Sequence, residues 1–137
     1  MPCTFGVRFT LSIVSADGLT YTFHLRSGMR WSDGTPIDAA TFAYLINRAL
    51  DPCFASPLAS YLFTIAGARA FSDARNCRLG PDALSAATLL GASIIVADPL
   101  TLQLTLGAPA AYFAAAFSLP ASWAVPKQLI DRYGQTK

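Results

Sequence analysis

Large apolar residues fall at alternate positions in two stretches near the start of the chain, and that period of two predicts strands wetted on one face. In the first, Val7, Phe9, Leu11 and Ile13 alternate with Arg8, Thr10 and Ser12; in the second, Leu19, Tyr21, Phe23 and Leu25 alternate with Thr20, Thr22, His24 and Arg26. The two are close enough to form a hairpin. A two-residue Asp17-Gly18 loop would set the apolar rows on opposite faces, so a three-residue loop of Ala16, Asp17 and Gly18 is expected. That loop pairs Ile13 with Tyr21 and Leu11 with Phe23, with Gly18 in the left-handed position of a bulge.

The period then changes. The run WSDGTP from Trp31 to Pro36 concentrates turn formers, and Asp38 stands where a helix N-cap would accept from the first free N–H groups. Ile37 and Phe42 occupy the two positions of a hydrophobic staple, and Phe42, Leu45, Ile46, Ala49 and Leu50 recur at helical spacing until Asp51-Pro52 ends the run. Ser56-Pro57 predicts a second helix with Leu58, Tyr61, Leu62 and Ile65 on its apolar face, ending near Gly67. Between Ala68 and Leu90, Asn76, Gly80 and Pro81 argue for loop, and Asp82 to Leu90 for a short Ala-rich helix. Ile94 to Ala97 and Thr101 to Leu106 predict a second hairpin around an Asp98-Pro99 turn, with Leu100, Leu102, Leu104 and Leu106 alternating with Thr101, Gln103 and Thr105. Pro109 opens a helix carrying Tyr112, Phe113, Ala116 and Phe117, and Pro126 a last one carrying Leu129, Ile130 and Tyr133. Two hairpins interleaved with helices predict an α+β fold, a mainly antiparallel sheet with about four helices packed on it, as one domain over residues 1–137.

Composition narrows what this fold is for. The chain has 137 residues, 53% of them hydrophobic and only 13% charged, against roughly 25% charged in an ordinary soluble domain. Some of its apolar surface is therefore expected to face another body. A net charge of +2 with scattered Lys and Arg excludes a nucleic-acid footprint. No signal peptide is legible at Met1-Pro2-Cys3, which leads straight into alternation, so a leader was removed or the chain starts inside a longer one. The uncharged stretch from Pro99 to Pro126 is interrupted by Gln103, Pro109 and Pro120 and alternates at its start, which argues against a transmembrane helix.

Candidate chemistry is sparse. His24 is the sole histidine and shares the wet strand face with Thr22 and Arg26. No G-x-S-x-G elbow, H-E-x-x-H pair or phosphate loop accompanies it. Asp33 and Asp38 are explained as a turn aspartate and an N-cap, and Trp31 as an anchor under the turn, continuing the odd-position row through Met29. An enzyme is disfavoured, and no cofactor is implied. Cys3, Cys53 and Cys77 lack paired metal spacing, and one histidine is too few for a zinc site. In an exported protein Cys53 and Cys77 would be able to bridge, leaving Cys3 odd; reduced buried thiols are the equal alternative. The start of the predicted second helix, from Ser56 to Tyr61, is the one candidate ligand site, because N–H groups at a helix start favour anions such as a peptide carboxylate. A plain packed helix is the competing account.

The run YTFHLR, then WSDGTP, then a capped helix ending RALDP resembles the extracellular solute-binding protein family 5, the peptide- and nickel-binding receptors of ABC importers. The resemblance continues through SPLASY from Ser56, IAGA from Ile65, LQLTL from Leu102, PAAYF from Pro109, VPK from Val125 and Tyr133-Gly134, in the family's order. It covers nearly all of the chain after about Ser15. It implies a fragment of a larger receptor: the inserted subdomain of the first lobe in a two-lobed, type II-like periplasmic-binding-protein fold, with ligand held between lobes. In such receptors the turn at Ser56 to Tyr61 approaches the cleft, so Leu58, Ser60 and Tyr61 are the ligand-contact candidates. Leu58 departs from the aromatic often found there.

What the resemblance implies functionally is capture of peptides or similar small solutes outside the cytoplasmic membrane and delivery to an ABC permease. The partners would be the remaining lobes, the permease and the solute. The location would be periplasmic or extracellular, lipid-anchored if at all through a segment not present here. A freestanding interaction module without a cleft, and the sensor part of a regulator, stay open as alternatives.

Overall fold

The computed structural model describes residues 9–54, 56–57, 59–73, 90–116 and 126–133. Its centre is a four-stranded antiparallel sheet built from β1 (Phe9–Val14), β2 (Thr20–Leu25), β3 (Ile94–Asp98) and β4 (Thr101–Thr105) in the order β1-β2-β4-β3. The two predicted hairpins are therefore joined through their inner strands, Tyr21 opposite Leu104 and Phe23 opposite Leu102. Alternation along β2 is as the pattern requires, with Tyr21, Phe23 and Leu25 buried and Thr20, Thr22 and His24 half-exposed. Pairing puts Leu102 and Leu104 on the same face as Tyr21 and Phe23, and this face carries the core.

That core is closed by α1 (Ala39–Leu50), which contributes Phe42, Ile46, Ala49 and Leu50. Burying Phe42, Ile46 and Leu50 contributes about 1.5–3 kcal/mol each. The helix starts where the sequence says it must. The Asp38 carboxylate accepts from the Thr41 N–H at 2.9 Å, and the Thr41 hydroxyl stands 3.5 Å from the Asp38 N–H, a reciprocal cap. Ile37 packs against the core beside it, and Asp51 ends the helix. The entry is tied to the second hairpin, because the Ala39 N–H donates to Pro99 O at 2.8 Å and the Leu25 N–H to Leu100 O at 2.8 Å.

Several expectations are corrected. The first hairpin is one residue out of the expected register: Val14 pairs with Tyr21, Ile13 with Thr22 and Ser12 with Phe23. The cause is the loop, which holds Ala16, Asp17, Gly18 and Leu19. Its Asp17 carboxylate accepts from the Leu19 N–H at 3.0 Å, and the Ser15 N–H reaches Thr20 O at 2.9 Å. Gly18 does take positive φ, 72°. A bulge between Phe9 and Leu11 resets the ladder so that Phe9 faces Leu25, and Ile13 is left half exposed.

The predicted second α-helix is also absent as such. Residues Ala59–Leu62 form a single 3-10 turn, and the chain then extends so that Ile65 bridges Leu106. The end of β4 and the backbone just past it capture it: the Ala66 N–H donates to Thr105 O and the Gly107 N–H to Thr64 O, both at 2.9 Å. A helix not foreseen, α2 (Ala68–Asp73), follows Gly67, whose φ of 78° makes the corner. The helix expected from Pro109 begins only at Phe113, as α3 (Phe113–Ala116), with Phe113 buried and Tyr112 65% exposed. The Tyr21 hydroxyl donates to Ala110 O at 2.9 Å, holding that residue in a turn. Helix α4 (Lys127–Tyr133) forms as expected after Pro126 but buries no residue. Leu100, read as part of an apolar row, is an exposed turn residue. Residues 90–93 are helical, and the rest of the Ala-rich helix expected from Asp82, like Phe117 and Cys77, lies outside the described residues.

Candidate functional site

The stretch singled out for ligand contact is held down by its own small apolar residues. Ala59 and Leu62 are buried under the 3-10 turn, so Ser60 and Tyr61 between them face outward, Tyr61 being 49% exposed. Leu58 lies outside the described residues. The anion-binding helix start expected here is not formed, for two reasons. One 3-10 turn of four residues carries little of the dipole that a full helix sums. The Ala59 N–H is also already committed to Ser56 O at 3.2 Å.

What the turn offers instead is hydroxyls. The Thr64 hydroxyl lies 3.4 Å from that of Tyr112, across the junction where the 64–66 segment is bound to the end of β4. Ser60, Tyr61, Thr64 and Tyr112 thus belong to two neighbouring segments that the sheet brings side by side. Tyr112 is the one that sequence reasoning missed, because helical spacing from Pro109 assigned it to an apolar face. The signal that could have found it is the tyrosine hydroxyl itself, in a sequence stretch otherwise made of alanine and phenylalanine.

The remaining candidates are explained locally. His24 is half-buried on the wet face, its Nδ1 3.3 Å from the Thr101 hydroxyl. Beside it the Leu100 N–H and the Thr101 hydroxyl, then the charge of His24, hold the Asp98 carboxyl below its usual range. Asp33 is held low by the Thr35 hydroxyl and N–H, with Gln128 of α4 adding a contact at 3.4 Å. Asp38 is spent on Thr41, so Asp33 and Asp38 do not work as a pair. Trp31 is half-buried, packed on the edge of the core. Among the described residues no group of His, Cys, Asp or Glu could hold a metal ion, and no helix is long and apolar enough to cross a membrane.

The described residues thus form a four-stranded antiparallel sheet closed on one face by a capped helix, with hydroxyl-bearing turns at its rim. The chain belongs to the bacterial extracellular solute-binding proteins, family 5, whose middle-region model matches residues 11–136. It is 38% identical over 121 residues to the periplasmic oligopeptide-binding protein OppA of Escherichia coli (strain K12), covering 87% of this chain and 20% of that protein. To the dipeptide-binding protein of Lactococcus lactis subsp. cremoris it is 32% identical over 123 residues, covering 89% of this chain and 20% of the relative. Among solved structures it superposes with a TM-score of 0.79 and 26% identity on the substrate-binding domain of an oligopeptide ABC transporter from Bacillus anthracis, covering 93% of this chain and 23% of that one. The murein tripeptide binding protein MppA of Escherichia coli gives a TM-score of 0.76 at 28% identity, with 91% and 23% covered. These neighbours are two-lobed peptide-binding proteins, and the chain corresponds to one subdomain of them, spanning about a fifth of the length of the curated relatives it matches.

Proposed function

We propose that this chain is the inserted first-lobe subdomain of a non-catalytic substrate-binding protein, one that captures peptides or similar small solutes outside the cytoplasmic membrane and presents them to an ABC permease. The observation that carries the reading is the 38% identity to an oligopeptide-binding protein over nearly nine tenths of the chain. The mechanism is lobe closure: a solute with higher affinity for the closed state shifts the population toward it, and no covalent step is needed. Leu58, Ser60 and Tyr61 are proposed to face the cleft, together with Tyr112, whose hydroxyl lies 3.4 Å from that of Thr64. Support for Ser60 and Tyr61 comes from their outward placement on a turn whose other residues are buried.

The test is a chimera in which this chain replaces the matching segment of the Escherichia coli oligopeptide-binding protein. Saturable peptide binding by the chimera is expected, weakened by Tyr61→Ala without loss of the folded state; a folded chimera with no binding overturns the reading. An exported location also goes with a Cys53–Cys77 bridge. Cys53 is exposed, just after α1. Thiol titration of the denatured, unreduced protein is expected to find Cys3 alone reactive, and three reactive thiols would remove the bridge.

A further inference from the structure

Helix α4 has no hold on the core. None of its seven residues is buried: Leu129 is 45% and Tyr133 71% exposed, and Ile130 is only half covered. Isolated helices shorter than about 12–15 residues are marginal in water, and most helices in proteins are stabilised by a packed apolar face. With neither the length nor the face, α4 stays helical only while something else holds it.

The Gln128 carboxamide supplies the hold. Its Nε2 donates to the Thr35 hydroxyl oxygen at 3.0 Å and reaches Asp33 Oδ2 at 3.4 Å. The Thr35 hydroxyl proton goes to Asp33 Oδ1, which leaves the hydroxyl oxygen to accept from the carboxamide. One NH2 group therefore meets two acceptors, and an oxygen in its place would face oxygen on both sides. One residue earlier the Lys127 ammonium lies 5.5 Å from the Tyr44 ring centroid and pairs with Asp131 inside α4. Both attachments lie in the first turn of α4, whereas Arg132 in the last turn covers only its neighbour Tyr133.

The seat itself does not depend on α4. The Trp31 N–H donates to Thr35 O at 2.8 Å, the Gly34 N–H to Trp31 O at 3.0 Å and the Thr35 N–H to the Asp33 carboxylate at 2.9 Å. The Arg30 guanidinium donates to Gly34 O at 2.9 Å across the same turn. Gln128, Asp33 and Thr35 are all exposed, so water replaces each bond when α4 leaves, and no buried polar group is orphaned.

We propose that α4 is a releasable strap: Gln128 on the Asp33–Thr35 turn is its catch, and α4 comes away and unwinds while the sheet and α1 stay folded. Release takes Lys127 off the Tyr44 ring and frees the two acceptors of the turn, so the strap controls access to this side of α1. The inference goes beyond the receptor reading and does not rest on it, because only residues of this chain take part.

The experiment is native-state hydrogen exchange of the chain, read by NMR over a series of low denaturant concentrations, which separates local opening from global unfolding. The amides of Asp131, Arg132 and Tyr133 are expected to exchange roughly 100-fold or more faster than those of Phe23, Ile46 and Leu104, with little dependence on denaturant because little surface is exposed by the opening. Gln128→Glu, nearly the same shape, sets a carboxylate against Asp33 and Thr35. It is expected to move the Cα shifts of residues 127–133 to coil values and to shift the Tyr44 ring signals, while the denaturation midpoint of the core stays that of the wild type. Gln128→Ala removes the catch without adding repulsion and should speed exchange in α4 by roughly tenfold. Protection and denaturant dependence in α4 equal to those in α1 overturn the proposal. So does a Gln128→Glu chain whose α4 remains helical, or whose core midpoint falls along with it.

Discussion

Asp17, Asp33 and Asp98 are all fully exposed, and all three carboxyls sit below the usual value of 3.8 because hydrogen bonds from their own turns favour the charged form. Since the folded-state pKa is the lower one, the stability each contributes is present above 3.8 and is lost as pH falls from there toward the folded value. Asp98→Asn is therefore expected to flatten the acid limb of a plot of denaturation midpoint against pH, with the wild type and variant converging at low pH. Parallel curves would show that the turn does not bind its carboxylate. Trp31 gives a second prediction at this scale. It touches the core from its edge, so Trp31→Ala should cost about 2–3 kcal/mol in chemical denaturation, below the 3–5 typical of a fully enclosed tryptophan.

Helix α1 is the element on which the others depend, since it closes the core face and its first N–H reaches the turn between β3 and β4. Asp38→Ala removes the cap and is expected to destabilise by about 1 kcal/mol, read as a lower midpoint at unchanged slope. Asp38→Asn, which keeps an acceptor for the Thr41 N–H, should recover most of it. The contrast with the 3-10 turn at Ala59–Leu62 is instructive. Both segments announce themselves with a capping residue and helical spacing, but only α1 has an apolar stripe free to lie on the sheet. The other segment ends where the end of β4 and the backbone just past it offer hydrogen bonds to Ala66 and Thr64, and the pairing wins over one more turn of helix.

At the scale of the whole molecule, exposure of Ile13, Ile95, Val96, Leu129 and Tyr133 leaves apolar surface at both edges of the sheet and along α4. On the function proposed above, the subdomain supplies only one wall of a cleft, and good small-molecule binding encloses some 70–90% of the ligand. The isolated chain should bind no tri- to pentapeptide with a Kd better than about 1 mM, and should self-associate weakly before it binds anything. Calorimetric titration with a mixed peptide library and sedimentation over a concentration series measure the two halves; micromolar saturable binding by the monomer would make it an autonomous receptor instead.

Local pattern determined what depends on local physics. The period of two placed β2 and β4 and their buried faces, the Asp38 cap and the Asp51-Pro52 stop bounded α1, and the WSDGTP and Asp98-Pro99 turns stand where their residues put them. The ordered set of motifs from YTFHLR onward was enough to identify the family. At the candidate site Ser60 faces outward, and so does Tyr61, which helical spacing assigns to an apolar face with Leu62 and Ile65; the helix expected to present them does not form. Only the tertiary structure decided the rest. Loop hydrogen bonds at Asp17 chose the register of β1, strand capture at Thr64–Ala66 cut the second helix short, and juxtaposition across that bridge brought Tyr112 to Thr64. The physical reason is common to all three. Each depends on a backbone or hydroxyl group whose partner is set by chain geometry in space, and spacing along the sequence carries no record of which donor a given acceptor will meet.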